Sequence, residues 1–438
     1  MKKVKIGVLG GYRGTSMISY CRVAGNAEVV AICDKYDDVL EHQKQVLGTD
    51  GITYYKDFED FLQHDMDAVV LANYANEHAP FAVRCLKKGL HVFSECLPCQ
   101  TLKEAVELIE AVEESGKIYA YGENYCYMGA PYEMKKLYEQ GVFGRFDYAE
   151  CEYVHNIGPY WGSITYGEED HWRNNMYANF YCTHSLGPII HITKQRPVSV
   201  IGFEGQHVER ARSNGSKAGQ FGMELVTLED GGLVKSLHGG LSRNSVWYSL
   251  YGSRGHAESA REDVENGWVN RIYVHAGDDY DEFKAEKGII NYIPEREFDH
   301  VAEYFGHGGS DFYCMYHFVQ KVLGDENADI IDVYEALDSF LPGMFAYFSV
   351  LAGNIPMAIP NLRNKEERDQ YRNDTRCTDP KVAGDQLLPT FSKGTPKIPA
   401  EVYKNMYDQW QADLKSTTGY CHAAMTQGVI QDFEGSKL

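Results

Sequence analysis

The sequence predicts an α/β protein of two unlike parts. A doubly wound parallel sheet comes first, followed by an α+β domain built on a large, mostly antiparallel, open-faced sheet. Three observations predict this. Strand and helix patterns alternate from residue 4 to about residue 125. A glycine-rich turn follows the first strand. From about residue 146, strand-like runs succeed one another with little helix between them. Alternating strands and helices imply right-handed βαβ units, whereas consecutive strands imply antiparallel pairing.

Residues 4–9 form an alternating apolar run suited to a buried parallel strand. They lead into Gly10, Gly11 and Gly14. Against the pattern G-x-G-x-x-G, Gly11 and Gly14 fill the second and third positions. Leu9 stands at the first, with Gly10 beside it. A helix fits residues 15–24, and a second strand at 28–33 ends in Asp34, about 20 residues beyond the turn. Such a turn at a helix N-terminus accepts a pyrophosphate, because free N–H groups and the helix dipole face it. A carboxylate at Asp34 suits a ribose 2′-hydroxyl and repels a 2′-phosphate, so the expected cofactor is NAD. The alternative is an ordinary βα turn in which Asp34 caps the next helix.

The alternation continues with helices at 38–47 and 78–88 and strands at 68–72, 91–93 and 118–121. The helix at 101–115 has Thr101 and Glu104 as a capping box and Gly116 as its stop. The second part shows strands at 146–154, 197–203, 222–228, 232–237 and 247–251, then helices at 309–322 and 333–353. The expected division is 1–125 for the dinucleotide domain, 126–355 for the substrate and oligomerisation domain, and 356–438 for a C-terminal arm. The charge run at 364–376 reads equally as an arm packed on the domains or on a neighbouring subunit, or as a solvated loop.

Composition narrows the function. The 438 residues are 44% hydrophobic and 24% charged, as in an ordinary globular protein. A formal net charge of −21 argues against nucleic acid or an anionic membrane as partner. No apolar run reaches membrane-spanning length and no signal peptide is recognisable, so a cytoplasmic location is expected. Eleven cysteines, an odd number scattered through apolar segments, suit reduced thiols. Cys96 and Cys99 form a lone C-x-x-C, read here as structural. The 32 tyrosines suit a carbohydrate cleft, though they serve ordinary cores too.

By residue 125 the layout resembles the Gfo/Idh/MocA family. The resemblance is carried by Asn76 and His78, by the run Leu86-Lys-Lys-Gly-Leu-His-Val92 and by Glu95. Dehydrogenases of that family follow the glutamate with lysine and proline, the lysine orienting and deprotonating the hydroxyl to be oxidised. Here Cys96 and Leu97 follow instead. A narrower resemblance, to NAD-dependent glycoside hydrolases of family 109, lies in Tyr121-Gly-Glu-Asn-Tyr-Cys-Tyr127, His171-Trp-Arg-Asn174, Tyr181-Cys-Thr-His-Ser-Leu-Gly-Pro188 and Gly306-His-Gly-Gly309 with Asp311. That subgroup also lacks the lysine.

The hydrolase resemblance implies transient oxidation of a hexoside at C3, elimination of the C1 substituent, addition of water and re-reduction, without net redox. The alternative is a sugar 3-dehydrogenase that releases or reduces a 3-keto sugar. Tyr153 and His155 alternate on one strand and so share a face. Tyr181 and His184 lie three residues apart, on one side of a turn or helix start. His184 is the expected base at the oxidised hydroxyl, with Tyr153 and His155 serving C2 and the leaving group. Arg173 and Tyr181 would hold the sugar, and Glu123 would lie near the nicotinamide end among the substrate-binding residues. The resemblance implies a cofactor site of Gly10, Gly11, Arg13, Gly14, Asp34, Asn76, His78, Glu95, Cys96 and Asn124. His191 reads as a core residue. A metal site from His155, His184 and His191 has no ligand spacing behind it, so no metal is expected. The expected partners are a small carbohydrate and, as is usual in the family, further copies of the chain in a dimer or tetramer.

Overall fold

A computed structural model describes residues 3–263, 269–277 and 290–416. Six strands make the first sheet: β1 (Val4–Leu9), β2 (Ala27–Cys33), β3 (Thr53–Tyr55), β4 (Ala68–Leu71), β5 (His91–Ser94) and β6 (Tyr119–Tyr121). They run in the order β3-β2-β1-β4-β5-β6, and every pair is parallel. This is the doubly wound dinucleotide-binding order, whose ligand crevice opens where the winding reverses, between β1 and β4. Helices cover both faces, so all of β4 is buried and β1 is almost continuously apolar. Sequence patterning misses β3, because Thr53–Tyr55 is an exposed to half-buried edge strand with no aliphatic run to mark it.

Among the described residues nine strands make the second sheet: β7 (Phe146–Val154), β8 (Pro197–Glu204), β9 (Phe221–Leu228), β10 (Leu233–Gly239), β11 (Ser245–Gly252), β12 (His256–Ser259), β13 (Ile272–His275), β14 (Ile290–Tyr292) and β15 (Met357–Ala358). The order is β14-β13-β12-β11-β7-β10-β9-β8-β15. Only β7 and β10 pair in parallel. One face packs on the buried helices Thr183–Thr193 and Val333–Leu351. The other face is open and carries the exposed side chains Phe203, Leu225, Leu233 and Tyr251.

The described part of the C-terminal arm, residues 356–416, packs on its own chain, and residues 417–438 lie outside the described residues. β15 adds an edge strand beside β8. Arg368 then pairs with Glu113 at 2.8 Å and Arg372 with Glu110 at 2.8 Å, both acids on the helix Leu102–Ser115 of the first domain. The charge run is therefore a seam to that domain. Further on, the helix Ala400–Ser416 lies against residues 156–169. The Gln409 side chain donates to the Pro159 carbonyl (3.0 Å), and the Trp410 and Tyr166 rings are 5.1 Å apart. A Cβ on Gly162 would stand 2.6 Å from the Met406 carbonyl oxygen, so a glycine is what permits this approach. Among the described residues no helix is long and apolar enough to cross a membrane.

Candidate active site

A cleft of about 490 Å³ runs from the tips of β1, β2 and β4 to the end of β7. Gly10, Asp34, Lys35 and Tyr74 line one end, and Tyr153, His155, Arg173, Tyr181 and His184 line the other. Ile157, Ile164 and Tyr166, from the segment clasped by the C-terminal helix, line it as well.

The first end is shaped by the glycine turn. Gly10 has φ +92°, where a side chain is strained, and a Cβ there would lie 2.4 Å from the Ala72 carbonyl group. The Gly11 N–H donates to Asp34 Oδ2 and the Tyr36 N–H to Oδ1, both at 2.9 Å. Asp34 is thus tied to the turn, and Tyr36, not Asp34, stands at the N-cap of the helix Asp37–Leu47. Burial pushes its carboxyl up to about 6, against two backbone hydrogen bonds that hold it down. The Lys35 ammonium lies 3.7 Å above the Tyr74 ring.

Between the two ends sits a charge cluster built on the buried Glu95 and Asp311. Arg13 reaches Glu95 Oε1 at 2.7 Å and Asp311 Oδ2 at 3.1 Å. Asn124 Nδ2 donates to Asp311 Oδ1 at 2.8 Å, and His307 Nδ1 lies 3.1 Å from the same atom. Burial opposes charge at Asp311, but Arg13 and His307 outweigh it and hold the carboxyl well below the usual range. Burial pushes the Glu95 carboxyl up, and Arg13 offsets that in part.

The second end gathers rings around His184, in the first turn of the helix Thr183–Thr193. Its ring lies 4.5 Å from that of Tyr125, 4.7 Å from Tyr153 and 4.8 Å from Tyr181. His184 Nδ1 donates to Glu123 Oε1 at 2.7 Å, which leaves Nε2 as the basic nitrogen. The motif around His184 has a mechanical reading. Pro188 has no N–H to give the His184 carbonyl, and the Tyr248 hydroxyl donates to that oxygen instead. Gly187 leaves room for Glu123, whose Cγ a Cβ would approach to 2.9 Å. Burial raises the Tyr153 phenol to about 12 and lowers His155 to about 4, so both are neutral near pH 7. His155 Nδ1 is buried with no hydrogen-bond partner among the described residues. The Arg173 guanidinium lies 4.3 Å from the Trp172 ring and 5.4 Å from the Tyr181 ring.

The cleft thus brings together Gly10, Arg13, Asp34, Glu95, Cys96, Asn124, Tyr153, His155, Arg173, Tyr181 and His184. Five residues expected at the site stand outside its lining. Glu123 is fully buried behind His184 and so orients a histidine where a sugar contact was expected. His78 is buried, with its ring nitrogens 3.0 Å from the Leu97 carbonyl oxygen and 3.2 Å from that of Asn73, which fixes two loops. Asn76 turns toward Asp379 at 3.5 Å. Gly11 and Gly14 act in packing, since a Cβ on Gly14 would meet the Val8 side chain at 2.4 Å. His191 lies apart, bonded to Glu335 and, at 3.2 Å, to Asp329. Sequence reasoning did not assign Tyr125, Trp172 and His307 to the site. Each stands beside or within a quoted motif, which was the available signal.

The class follows from fold and cleft together. A switch-point crevice with a ribose-type acid opens onto an acid–base cluster supplied by a second domain, which is the layout of an NAD-dependent enzyme. Residues 4–123 match the family profile described as an oxidoreductase family with an NAD-binding Rossmann fold. A glycosyl hydrolase family 109 protein of Solibacter usitatus (strain Ellin6076) is 25% identical over 396 residues, covering 82% of this chain and 88% of the relative. Another from Streptomyces filamentosus is 24% identical, covering 83% and 78%. Among solved structures, an Agrobacterium radiobacter oxidoreductase in complex with NAD+, L-tartaric acid and magnesium superposes with TM-score 0.66 at 13% identity, covering 82% of this chain and 98% of that one. Scyllo-inositol dehydrogenase from Lactobacillus casei with bound NAD(H) does so with TM-score 0.61 at 18% identity, covering 82% and 99%. Residues 4–123 thus carry the Gfo/Idh/MocA NAD-binding profile, and family 109 glycosyl hydrolases are among the relatives that the chain resembles along most of its length.

The residues present fit NAD. The turn at Gly10 admits no side chain, Asp34 lines the cleft, and the cleft-lining Asn73 and Asn124 each keep a buried side-chain oxygen without a partner among the described residues. A donor-bearing ligand satisfies such oxygens. The raised Asp34 carboxyl also sets a pH dependence. The NAD dissociation constant is expected to rise as pH falls through about 6, because a protonated Asp34 has lost acceptor capacity. Titration of NAD binding between pH 5 and pH 8 checks this, and Asp34→Asn should flatten the profile.

Proposed function

We propose that this protein is an NAD-dependent glycosidase that cleaves a hexoside by oxidising C3 transiently, eliminating the C1 substituent, adding water and reducing C3 again. The observation that carries the reading is the ring of Tyr153, His155, Tyr181 and His184 at the end of the cofactor cleft, with Cys96 where the dehydrogenases have a lysine. Held by the Gly10 turn and Asp34, NAD would supply the reversible hydride acceptor that oxidation at C3 needs. The chain's own residues move the protons. His184 Nε2 takes the proton of the C3 hydroxyl, with Glu123 fixing the ring and its tautomer. His155, neutral and half-buried, takes the C2 proton made acidic by the adjacent ketone. The Tyr153 phenol, kept protonated by burial, donates to the leaving oxygen. Arg173 and Tyr181 hold the sugar, with the guanidinium braced on Trp172. The apolar open face of the second sheet supports a homo-oligomer.

Incubation with an aryl hexoside in deuterium oxide tests the reading. The expected products are free aglycone and sugar deuterated at C2, with no net NADH. Stoichiometric NADH with keto sugar and no released aglycone would sink it in favour of the dehydrogenase.

A further inference from the structure

Cys96, Glu123 and His184 are brought together from the loop after β5, the loop after β6 and the helix Thr183–Thr193. One donor atom from each lies within 4.8 Å of the others, and all three side chains are buried. His184 Nδ1 is 2.7 Å from Glu123 Oε1, and Cys96 Sγ is 3.4 Å from Glu123 Oε2. Glu123 is otherwise met only by the Tyr125 N–H among its described hydrogen bonds and ion pairs; no lysine or arginine reaches it. A carboxylate held out of water without a cation is costly.

We propose that Cys96, Glu123 and His184 bind one divalent transition-metal ion of the zinc class, and that the ion switches the site off. The donor set mixes sulfur, nitrogen and oxygen, as borderline-soft Zn²⁺ prefers. Tetrahedral zinc with ordinary bond lengths places nitrogen and oxygen ligands about 3.4 Å apart and sulfur and oxygen about 3.6 Å apart. The thiol and the imidazole now meet different oxygens of Glu123, so the carboxylate turns one oxygen between them, and one donor from each residue already lies within 4.8 Å of the other two. The ion brings to Glu123 a fixed positive charge that no lysine or arginine supplies among the described residues. Its protons balance simply. The Cys96 thiol releases its proton to solvent as the metal–sulfur bond forms, while the imidazole proton leaves Nδ1, which takes the metal, and settles on Nε2. Nε2 is the nitrogen assigned as the base, so occupancy removes it.

Inhibition rests on the proposed role of His184, but binding does not, and the experiment separates the two. Purified protein is titrated with Co²⁺ and followed by thiolate-to-cobalt absorption, then with Zn²⁺ and followed by metal analysis after gel filtration. One ion per chain with a thiolate band is expected. Cys96→Ala and Glu123→Gln, each checked for folding by circular dichroism, should lose the site, with affinity falling by more than the roughly 10- to 100-fold cost of losing an outer-shell partner. Folded wild-type protein that binds no ion, or a Cys96→Ala protein that binds it equally well, overturns the proposal. Aryl glycosidase activity should fall in step with occupancy. Stoichiometric binding with full activity retains the site and overturns His184 as the base.

Discussion

His184→Ala is expected to lower kcat for aryl glycoside cleavage by about 10²- to 10⁴-fold, the usual share of a general base. NAD binding should be little changed, because His184 comes from the second domain while Gly10 and Asp34 come from the first. The separation matters, since a residue that merely supported the cleft would weaken both. Glu123→Gln provides the internal control. It preserves the volume behind His184 but replaces an obligate acceptor with an amide, so the ring loses the partner that fixes Nδ1 as its donor. A kcat loss in Glu123→Gln without a KM change identifies Glu123 as a positioning residue. Steady-state kinetics with NAD titrations on both variants make the measurement. Unchanged kcat in His184→Ala would remove the histidine from the mechanism.

Arg13→Ala is expected to destabilise the protein by about 3–5 kcal/mol, measured by urea unfolding. The sequence placed Arg13 with the cofactor, where a basic residue after a glycine turn is easily read as a phosphate ligand. Its guanidinium does line the cleft, but its charge is directed inward, between Glu95 and Asp311. Removal leaves two carboxyl groups, Asp311 almost wholly buried, without their cation. Neutralising them should recover most of the loss, so Arg13→Met combined with Glu95→Gln and Asp311→Asn is expected to be more stable than Arg13→Ala alone. A cost under about 1 kcal/mol for Arg13→Ala, typical of an ordinary surface change, would show that the cluster is not held this way.

The architecture was legible because its signals are local. The strand at 4–9, the glycines that follow, the capped helix at 101–115 and the shift to consecutive strands near 146 all lie within short windows. The Thr101 cap forms as read, with its hydroxyl accepting from the Glu104 N–H at 3.1 Å, although Glu104 bonds the Gln100 N–H. What escaped notice was short or distant. β3 is a three-residue edge strand without an aliphatic run, and β12 to β15 have two to four residues each and lie outside the strand–helix alternation that marks equally short strands of the first sheet. The charge run at 364–376 could not be resolved from a solvated loop, because its partners Glu110 and Glu113 lie more than 250 residues earlier.

The sequence by itself determined which kinds of chemistry the chain can perform: a dinucleotide turn, an acid at the end of β2, and tyrosine–histidine pairs spaced to share a face. Backbone periodicity and motif spacing are properties of neighbours along the chain, and so they can be read there. Only the tertiary structure decided which of those groups meet. It moved Glu123 from the sugar to the back of His184, set Asn76 and His78 aside in the scaffold, spent the charge of Arg13 on Asp311, and placed the Cys96 thiol beside a carboxylate and an imidazole. These outcomes depend on contacts between residues far apart in sequence and on burial, which sets the price of each charge. Neither quantity has a local signature.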